Sequence, residues 1–570
     1  MFVLLGAVGL TNAQDVDRAN SLRDQLLGEL GLGEIVDQTE DESAAAETPD
    51  DETELLPSLN GLVLVPHVDE VSADAIQLEE ATVEDRGVGP PAAVTAALEG
   101  FLNEPVTLAR LSEITNTITD VYKSNDRPVV DAFLPEQNVT TGVIQIVVVE
   151  GKVGEIRVEG AEHSSEEYVL RNVRLNPGDP VRESTMQFDL DWLNAQPLRN
   201  ANLLFERGEE YGETDLIVQV QDVRPLRAHA GFGNTGLDLT GENEWNFGLT
   251  KGFLFGTEQL LSYQYTADSE FDGLHSHSGF WWAPLPWRHR IEVIGAHVTS
   301  EATIPVDDET DIGVGGASSL IVIDYVIPIE HRPFEMKRLD LRFGFDFKST
   351  NNDLEFGGAQ VFDETAEVLQ FRMGFEGERD DKFGPMGIGA NVVWSPGDLS
   401  SSNDDASFSS QRGGSTSDYF YAELTMERLF SLPRNWNLAV SSNAQWSASR
   451  LLSSEQILAG GYRTVRGFDE NLARGDAGIV SSVELLAPPR AIMGYGELQP
   501  IFFYDMGWLT NKDAGGGEPD VTLSSIGVEL KYRLGGTAHL RAGYGWHVSD
   551  SGVEDVEGDG KFHFGATIHY

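Results

Sequence analysis

The chain has no cysteine, no long apolar run and few basic side chains: 39 Lys and Arg stand against 93 Asp and Glu, a formal net charge of −54 over 570 residues. Without thiols there is no disulfide scaffold, thiolate zinc site or cysteine nucleophile. Without about 18 consecutive apolar residues there is no transmembrane helix. So few cations leave no footprint for a phosphate backbone, which excludes nucleic acid as a partner. No P-loop, H-E-x-x-H or G-x-S-x-G pattern occurs, so no enzyme activity and no cofactor are expected. The one G-x-G-x-x-G match, Gly231–Gly236, has no helix after it and reads as a hairpin feature. His275 and His277 read as solvated loop histidines. Asp307, Asp308, Glu309 and Asp311 lack the spacing of a calcium loop, so no metal is expected.

What is present changes texture along the chain. Phe2–Leu10 is apolar and Thr11-Asn12-Ala13 offers a small-residue cleavage site, so residues 1–13 read as a secretory signal. A buried N-terminal segment is the alternative, since no basic residues precede the apolar run. Residues 14–36 carry a helical stripe of Val16, Ala19, Leu22, Leu26 and Leu30. Residues 37–57 read as an acidic linker, because ten acidic and no basic side chains fall between positions 34 and 54.

Residues 58–151 and 152–226 read as two successive β-α-α-β-β units. Strands are expected at Gly61–Val65, Pro128–Leu134, Val143–Val149, Val153–Val158, Leu203–Arg207 and Asp215–Gln221. Helices are expected at Pro91–Leu102, Leu108–Lys123, Ser165–Val173 and Glu183–Pro197.

From residue 227 to 570 the pattern is period two. In Leu339–Lys348, apolar and polar residues alternate without an error. A soluble sandwich and an outer-membrane barrel both solvate the polar side. The apolar side favours the barrel: it is large and aromatic, and nine of the ten Trp fall here, with Trp281, Trp282, Trp287, Trp394 and Trp508 near strand ends. Sixteen strand starts are counted, near residues 227, 243, 258, 274, 289, 317, 337, 366, 385, 417, 435, 477, 498, 522, 537 and 560. The expected strands are about 9–12 residues long, the length that crosses a bilayer at a tilt. The last carries Phe562, Phe564, Ile568 and Tyr570 on its outward face. The fold class is thus a membrane all-β protein: a 16-stranded antiparallel barrel preceded by two small α+β domains and a helix.

The loop Gly460-Gly461-Tyr462-Arg463-Thr464-Val465-Arg466-Gly467-Phe468 lies between the eleventh and twelfth strands, and Phe503-Tyr504-Asp505-Met506-Gly507 lies on the thirteenth. Together these resemble the V-R-G-[YF] loop and F-x-D-x-G strand of the two-partner secretion transporters. That is the ShlB/FhaC/HecB hemolysin secretion/activation family, within the superfamily that includes BamA. Gln145–Gly160 resembles the junction between that family's two POTRA domains. On the residues alone, Arg466 fits a surface loop charge and Asp505 a carboxylate lining water. The resemblance instead implies that the loop folds into the lumen and that Arg466 meets Asp505.

The resemblance also implies a Gram-negative outer-membrane pore with periplasmic POTRA domains. Such a pore captures a secreted exoprotein through that protein's N-terminal secretion domain and passes it unfolded to the surface without ATP (type Vb secretion). The helix at 14–36 would rest in the lumen as a plug. Outer-membrane lipid and the barrel-assembly machinery are the other expected partners. The alternatives are a BamA- or TamA-like insertase and a passive porin; two POTRA-like units and a plug-like helix favour secretion.

Overall fold

The computed structural model describes residues 54–307, 310–356, 359–492, 496–512, 518–553, 556 and 558–570. The expected signal, the expected helix and residues 37–53 of the expected linker lie outside the described residues; the last residues of that linker are not linker, because Glu54–Leu56 form a short strand antiparallel to Val106–Thr107. The chain divides into two compact units, one spanning Ile35–Val223 and one containing Arg224–Tyr570.

The first unit holds two repeats. In the first, β1 (Gly61–Val65), β2 (Thr82–Asp85), β3 (Val130–Phe133) and β4 (Val143–Glu150) form a sheet in the order β2-β1-β4-β3. β1 is parallel to β2 and β4, and β3 is antiparallel to β4. Helices α1 (Ala92–Glu99) and α2 (Leu108–Ser124) bury Val94, Leu98, Ile114, Ile118 and Tyr122 against Leu62, Leu64, Ile144, Ile146 and Val148. Thr107 caps α2 by accepting the Arg110 N–H at 3.1 Å. On the other sheet face, Val71, Ile76 and Leu78 cover Val63, Val65 and Val147. Coverage on both faces explains why β1 reads as an unbroken apolar run. β2 has the sequence Thr-Val-Glu-Asp and carries no such signal.

The second repeat runs β5 (Lys152–Glu159), α3 (Glu166–Arg171), α4 (Glu183–Asn194), β6 (Arg199–Arg207) and β7 (Glu213–Asp222), with sheet order β5-β7-β6. β5 is parallel to β7 and β6 antiparallel, the arrangement of the first repeat without its β2. Asp222 fixes the entry to α3 by accepting from the N–H groups of Glu162, His163 and Ser164. A bridge from Lys152 to Pro180 covers the start of β5. Beyond it, among the described residues, the outer edge of β5 has no strand partner.

The second unit is a closed antiparallel barrel of sixteen strands. They are β8 (Leu226–Gly233), β9 (Glu244–Lys251), β10 (Leu260–Asp268), β11 (Leu274–Pro284), β12 (Arg290–Asp307), β13 (Thr310–Pro328), β14 (Arg338–Phe356), β15 (Ala359–Asp381), β16 (Gly384–Pro396), β17 (Asp418–Leu432), β18 (Trp436–Ser447), β19, β20 (Gly496–Thr510), β21 (Val521–Leu534), β22 (Ala538–Ser551) and β23 (Gly560–His569). β19 runs from Ala477 to Leu486, breaks at Pro488 and Pro489, and resumes over Arg490–Ile492 against β20. Two prolines cannot donate to a ladder, which accounts for the break. Closure pairs β8 with β23 from His229–His569 to Gly233–Gly565, and Ala228 and Tyr570 exchange both backbone hydrogen bonds.

Four strands depart from the expected length: β12 to β15 have 18 to 23 residues. A bilayer needs about 9–11 tilted residues. The apolar–polar alternation of β14 stops at Lys348, where Ser349-Thr350-Asn351-Asn352 begins, so the backbone ladder continues into water beyond the lipid-facing part. Trp394, Trp446, Trp508 and Trp546 point outward and are exposed, as an aromatic girdle requires. Trp282 is buried instead, directly opposite Leu260 and Glu292 and so on the lumenal side. His275 and His277 lie on β11 and not in a loop. Their Nδ1 atoms meet the hydroxyls of Tyr265 and Tyr263 at 2.8 and 2.7 Å.

Candidate functional site

The connection between β18 and β19, residues 448–476, folds against the inner barrel wall. Its two limbs pair as a short antiparallel hairpin, Ile457–Ala459 with Ala473–Gly475. Ile457, Ala459, Val465, Phe468 and Ala473 form an apolar cluster with Val480, Leu509, Val521 and Leu523 of β19, β20 and β21. Gly507 makes the approach possible: a Cβ there would lie 2.8 Å from the Ala459 Cβ and 3.3 Å from Val465.

This docking carries Arg466 to Asp505. The guanidinium donates through Nε to Oδ2 at 2.7 Å and through Nη2 to Oδ1 at 2.8 Å, a bidentate contact, and the Arg466 backbone N–H adds a third bond at 3.1 Å. Asp505 is fully buried and Arg466 nearly so. Phe503 places its ring under the guanidinium, 3.6 Å from centroid to Cζ. The outward neighbours Phe502, Tyr504 and Trp508 are exposed, so the alternation read in the sequence gives the faces of β20.

Three further partners had no motif to reveal them. Glu484 on β19 lies 2.6 Å from Arg466 Nη1, and Glu529 on β21 lies 3.1 Å from the same nitrogen. Ser482 accepts from Nη2 at 3.1 Å and donates to Asp505 at 2.6 Å. Glu529 also accepts from the Tyr462 hydroxyl at 2.8 Å, so Tyr462 and Arg466 of the loop both meet it. The signal that could have found Glu484 and Glu529 is parity: each points inward on a strand next to β20.

The loop has two more anchors. Glu455 is fully buried and accepts from Lys348 Nζ at 2.9 Å and from the Tyr421 hydroxyl at 3.0 Å. At its base, buried Asp476 pairs with Arg412, which follows α5 (Asp405–Gln411). Arg412 and Arg450 share Glu518, each at 2.6 Å, which ties together the connections 397–417, 448–476 and 511–520. The wall opposite is a ladder of ion pairs. Arg290 meets Glu292 and Asp340, Arg342 meets Glu292, Asp324 and Glu376, and Arg372 meets Asp324 and Asp346. Three arginines against five carboxylates leave a net of −2, so this ladder accounts for little of the −54.

The acidic group Asp238, Glu242 and Asp469 has the spacing of a cation site. Lys561 supplies its cation, with Nζ 2.5 Å from Asp469 and 2.6 Å from Glu242. On the last strand, Phe562, Ile568 and Tyr570 are exposed on the outer surface, and Phe562 and Phe564 stack at 6.1 Å.

Two repeats that share a β-α-α-β-β core, the first with β2 inserted before its helices, and a closed sixteen-stranded barrel holding an inward-folded loop define the class of outer-membrane barrels with POTRA domains. Residues 212–532 match the family described as haemolysin secretion/activation protein ShlB/FhaC/HecB, and residues 76–151 match the ShlB-type POTRA domain. The first match covers more than half of the chain, so this protein belongs to that family. It is an outer-membrane protein whose POTRA domains are periplasmic.

The heme/hemopexin transporter protein HuxB of Haemophilus influenzae is 28% identical over 146 residues, which are 25% of this chain and 26% of HuxB. The alignment with this chain thus spans about a quarter of that relative's length. The outer membrane transporter CdiB of Escherichia coli is 23% identical over 418 residues, 72% of this chain and 68% of CdiB. Among solved structures, CdiB from Escherichia coli superposes with a TM-score of 0.74 at 17% identity, covering 99% of this chain and 100% of CdiB. CdiB from Acinetobacter baumannii gives 0.62 at 14% identity, covering 98% of each chain. At these identities the likeness shows the fold.

Proposed function

We propose that this protein is the transporter of a two-partner secretion pair. Its POTRA repeats take hold of an exoprotein's N-terminal secretion domain, and its barrel passes the unfolded chain to the cell surface without nucleotide or any bond-making chemistry. The observation that carries this reading is the docked loop: Arg466 binds Asp505, Glu484 and Glu529 inside the barrel, the contact that the family's two motifs share. Its removal from the wall would free the lumen. The open outer edge of β5 supports the first step, because an unpaired strand edge offers main-chain donors and acceptors to an extended segment. In this reading the helix at 14–36 plugs the lumen at rest, and the barrel-assembly machinery inserts the barrel into lipid.

An insertase would work at an opened seam. Here β8 and β23 are paired from His229 to Gly233 and again at Ala228, which favours export through the lumen. The test is reconstitution of the full chain in proteoliposomes without nucleotide, with a passenger that begins with a secretion domain. Passage of the passenger across the bilayer, lost on deleting its secretion domain, is expected. Passage of any unfolded chain at the same rate would refute the reading.

A further inference from the structure

Gly467, next to Arg466 in the loop motif, is held by two histidines that take no part in the Arg466–Asp505 contact. Its N–H donates to His563 Nε2 at 2.9 Å. Its carbonyl accepts from His547 Nε2 at 2.5 Å. His547 lies on β22 and His563 on β23. A peptide N–H only donates and a carbonyl only accepts, so the two rings need opposite tautomers. His563 must be bare on Nε2, with its proton on Nδ1; His547 must carry its proton on Nε2. The two rings therefore read one peptide group in both polarities, and neither could replace the other.

Packing fixes the same point. The Phe468 ring lies flat on His547, 4.0 Å away and tilted by 6°. Gly467 has φ +95°, and a Cβ on it would come within 2.7 Å of the Gly545 carbonyl oxygen. A Cβ on Gly545 would come within 2.7 Å of the Arg466 carbonyl oxygen. Glycine faces glycine, and the two backbones touch. His563 is buried, yet its Nδ1 has no hydrogen-bond partner among the described residues. A buried donor left unmatched raises the energy of the docked state. The contact is thus specific but not maximally tight, as a releasable one should be.

We propose that His563 and His547 are positioning residues that latch the loop tip to the last two strands through the Gly467 peptide, and that the tip leaves this latch when the barrel opens. The proposal rests on the reading of the loop as the barrel's gate.

The natural chain has no cysteine, so a single spin label at Arg463→Cys in the full chain, in nanodiscs, reports the tip. The tip should be immobile with native histidines. His563→Gln, whose amide oxygen accepts as Nε2 does, should keep it immobile. His563→Phe, and the donor-only His563→Lys, should raise the mobile fraction roughly five- to tenfold, the effect of one lost buried hydrogen bond. His547→Phe keeps the stack on Phe468 and loses the donor, and should act in the same direction; it also serves if the His563 variants fail to fold. Native spectra for His563→Phe and His547→Phe would overturn the latch, as would His563→Gln behaving like His563→Phe. Export by the same variants separates the two ideas. A freed tip with unchanged export upholds the latch and removes the gate. An unmoved tip in a barrel whose export still depends on Arg466 removes the latch and keeps the gate.

Discussion

Arg466 is a single guanidinium facing three carboxylates, and that imbalance sets what its substitutions do. Removing one side of a buried pair costs about 3–5 kcal/mol, chiefly because it leaves the other charge unmatched. In Asp505→Ala the guanidinium keeps Glu484 and Glu529. In Arg466→Ala, Glu484, Asp505 and Glu529 face one another with that cation gone. Arg466→Ala should therefore lower the barrel's heat-modification midpoint in detergent more than Asp505→Ala; the reverse order would contradict this reading of the site. Breaking a surface salt bridge would cost about 0–1 kcal/mol, so burial raises the cost of removing one partner. Gly507→Val makes an independent case. Its side chain would press on Ala459 and Val465 and should displace the hairpin without touching a charge, seen as faster protease cleavage within 457–475.

Among the elements, those whose environment repeats along the chain were the legible ones. The alternation of Leu339–Lys348 follows from one lipid face and one wet face, and sixteen such segments close the barrel. β2 was illegible because a four-residue polar edge strand leaves no period. The length of β14 was illegible because Ser349-Thr350-Asn351-Asn352-Asp353 breaks the alternation before the strand ends. For the site, Val465–Phe468 and Asp505 were found through a resemblance, while parity placed Phe503 and Asp505 inward. Glu484, His547 and His563 lie 18, 81 and 97 residues from Arg466, and no spacing rule joins them; only closure of the sheet does. At this scale Arg412 is the informative change. Arg412→Ala removes the tie from Asp476 and Glu518 to the segment around α5. Limited proteolysis within 397–417 should speed up about tenfold with the barrel still folded; an unchanged rate would show that Phe408, packed among Tyr419, Tyr421 and Leu451, holds the segment alone.

Over the whole molecule, each of the two units has apolar clusters of its own among the described residues. The POTRA unit has apolar clusters around Ile114, Val153 and Val169. A fragment of residues 54–223 should therefore fold cooperatively by itself in a urea titration, and a non-cooperative profile would contradict that division. The −54 also divides. The described wall charges are largely ion-paired, and the densest acidic run is the one expected to be a linker. The molecule exposes negative charge where it meets water and apolar side chains where it meets lipid; on the proposed reading, the inward loop is the barrier that an exported chain must pass.

That barrier is the central claim, and export by cells tests it most directly. Cells carrying the native chain and its passenger, beside cells carrying Arg466→Ala or Asp505→Ala, would be compared for passenger in the medium, with each barrel checked for heat-modifiable folding in the outer membrane. The account predicts folded barrels in all three and loss of export in both variants. Folded variant barrels that export the passenger at the native rate would contradict it.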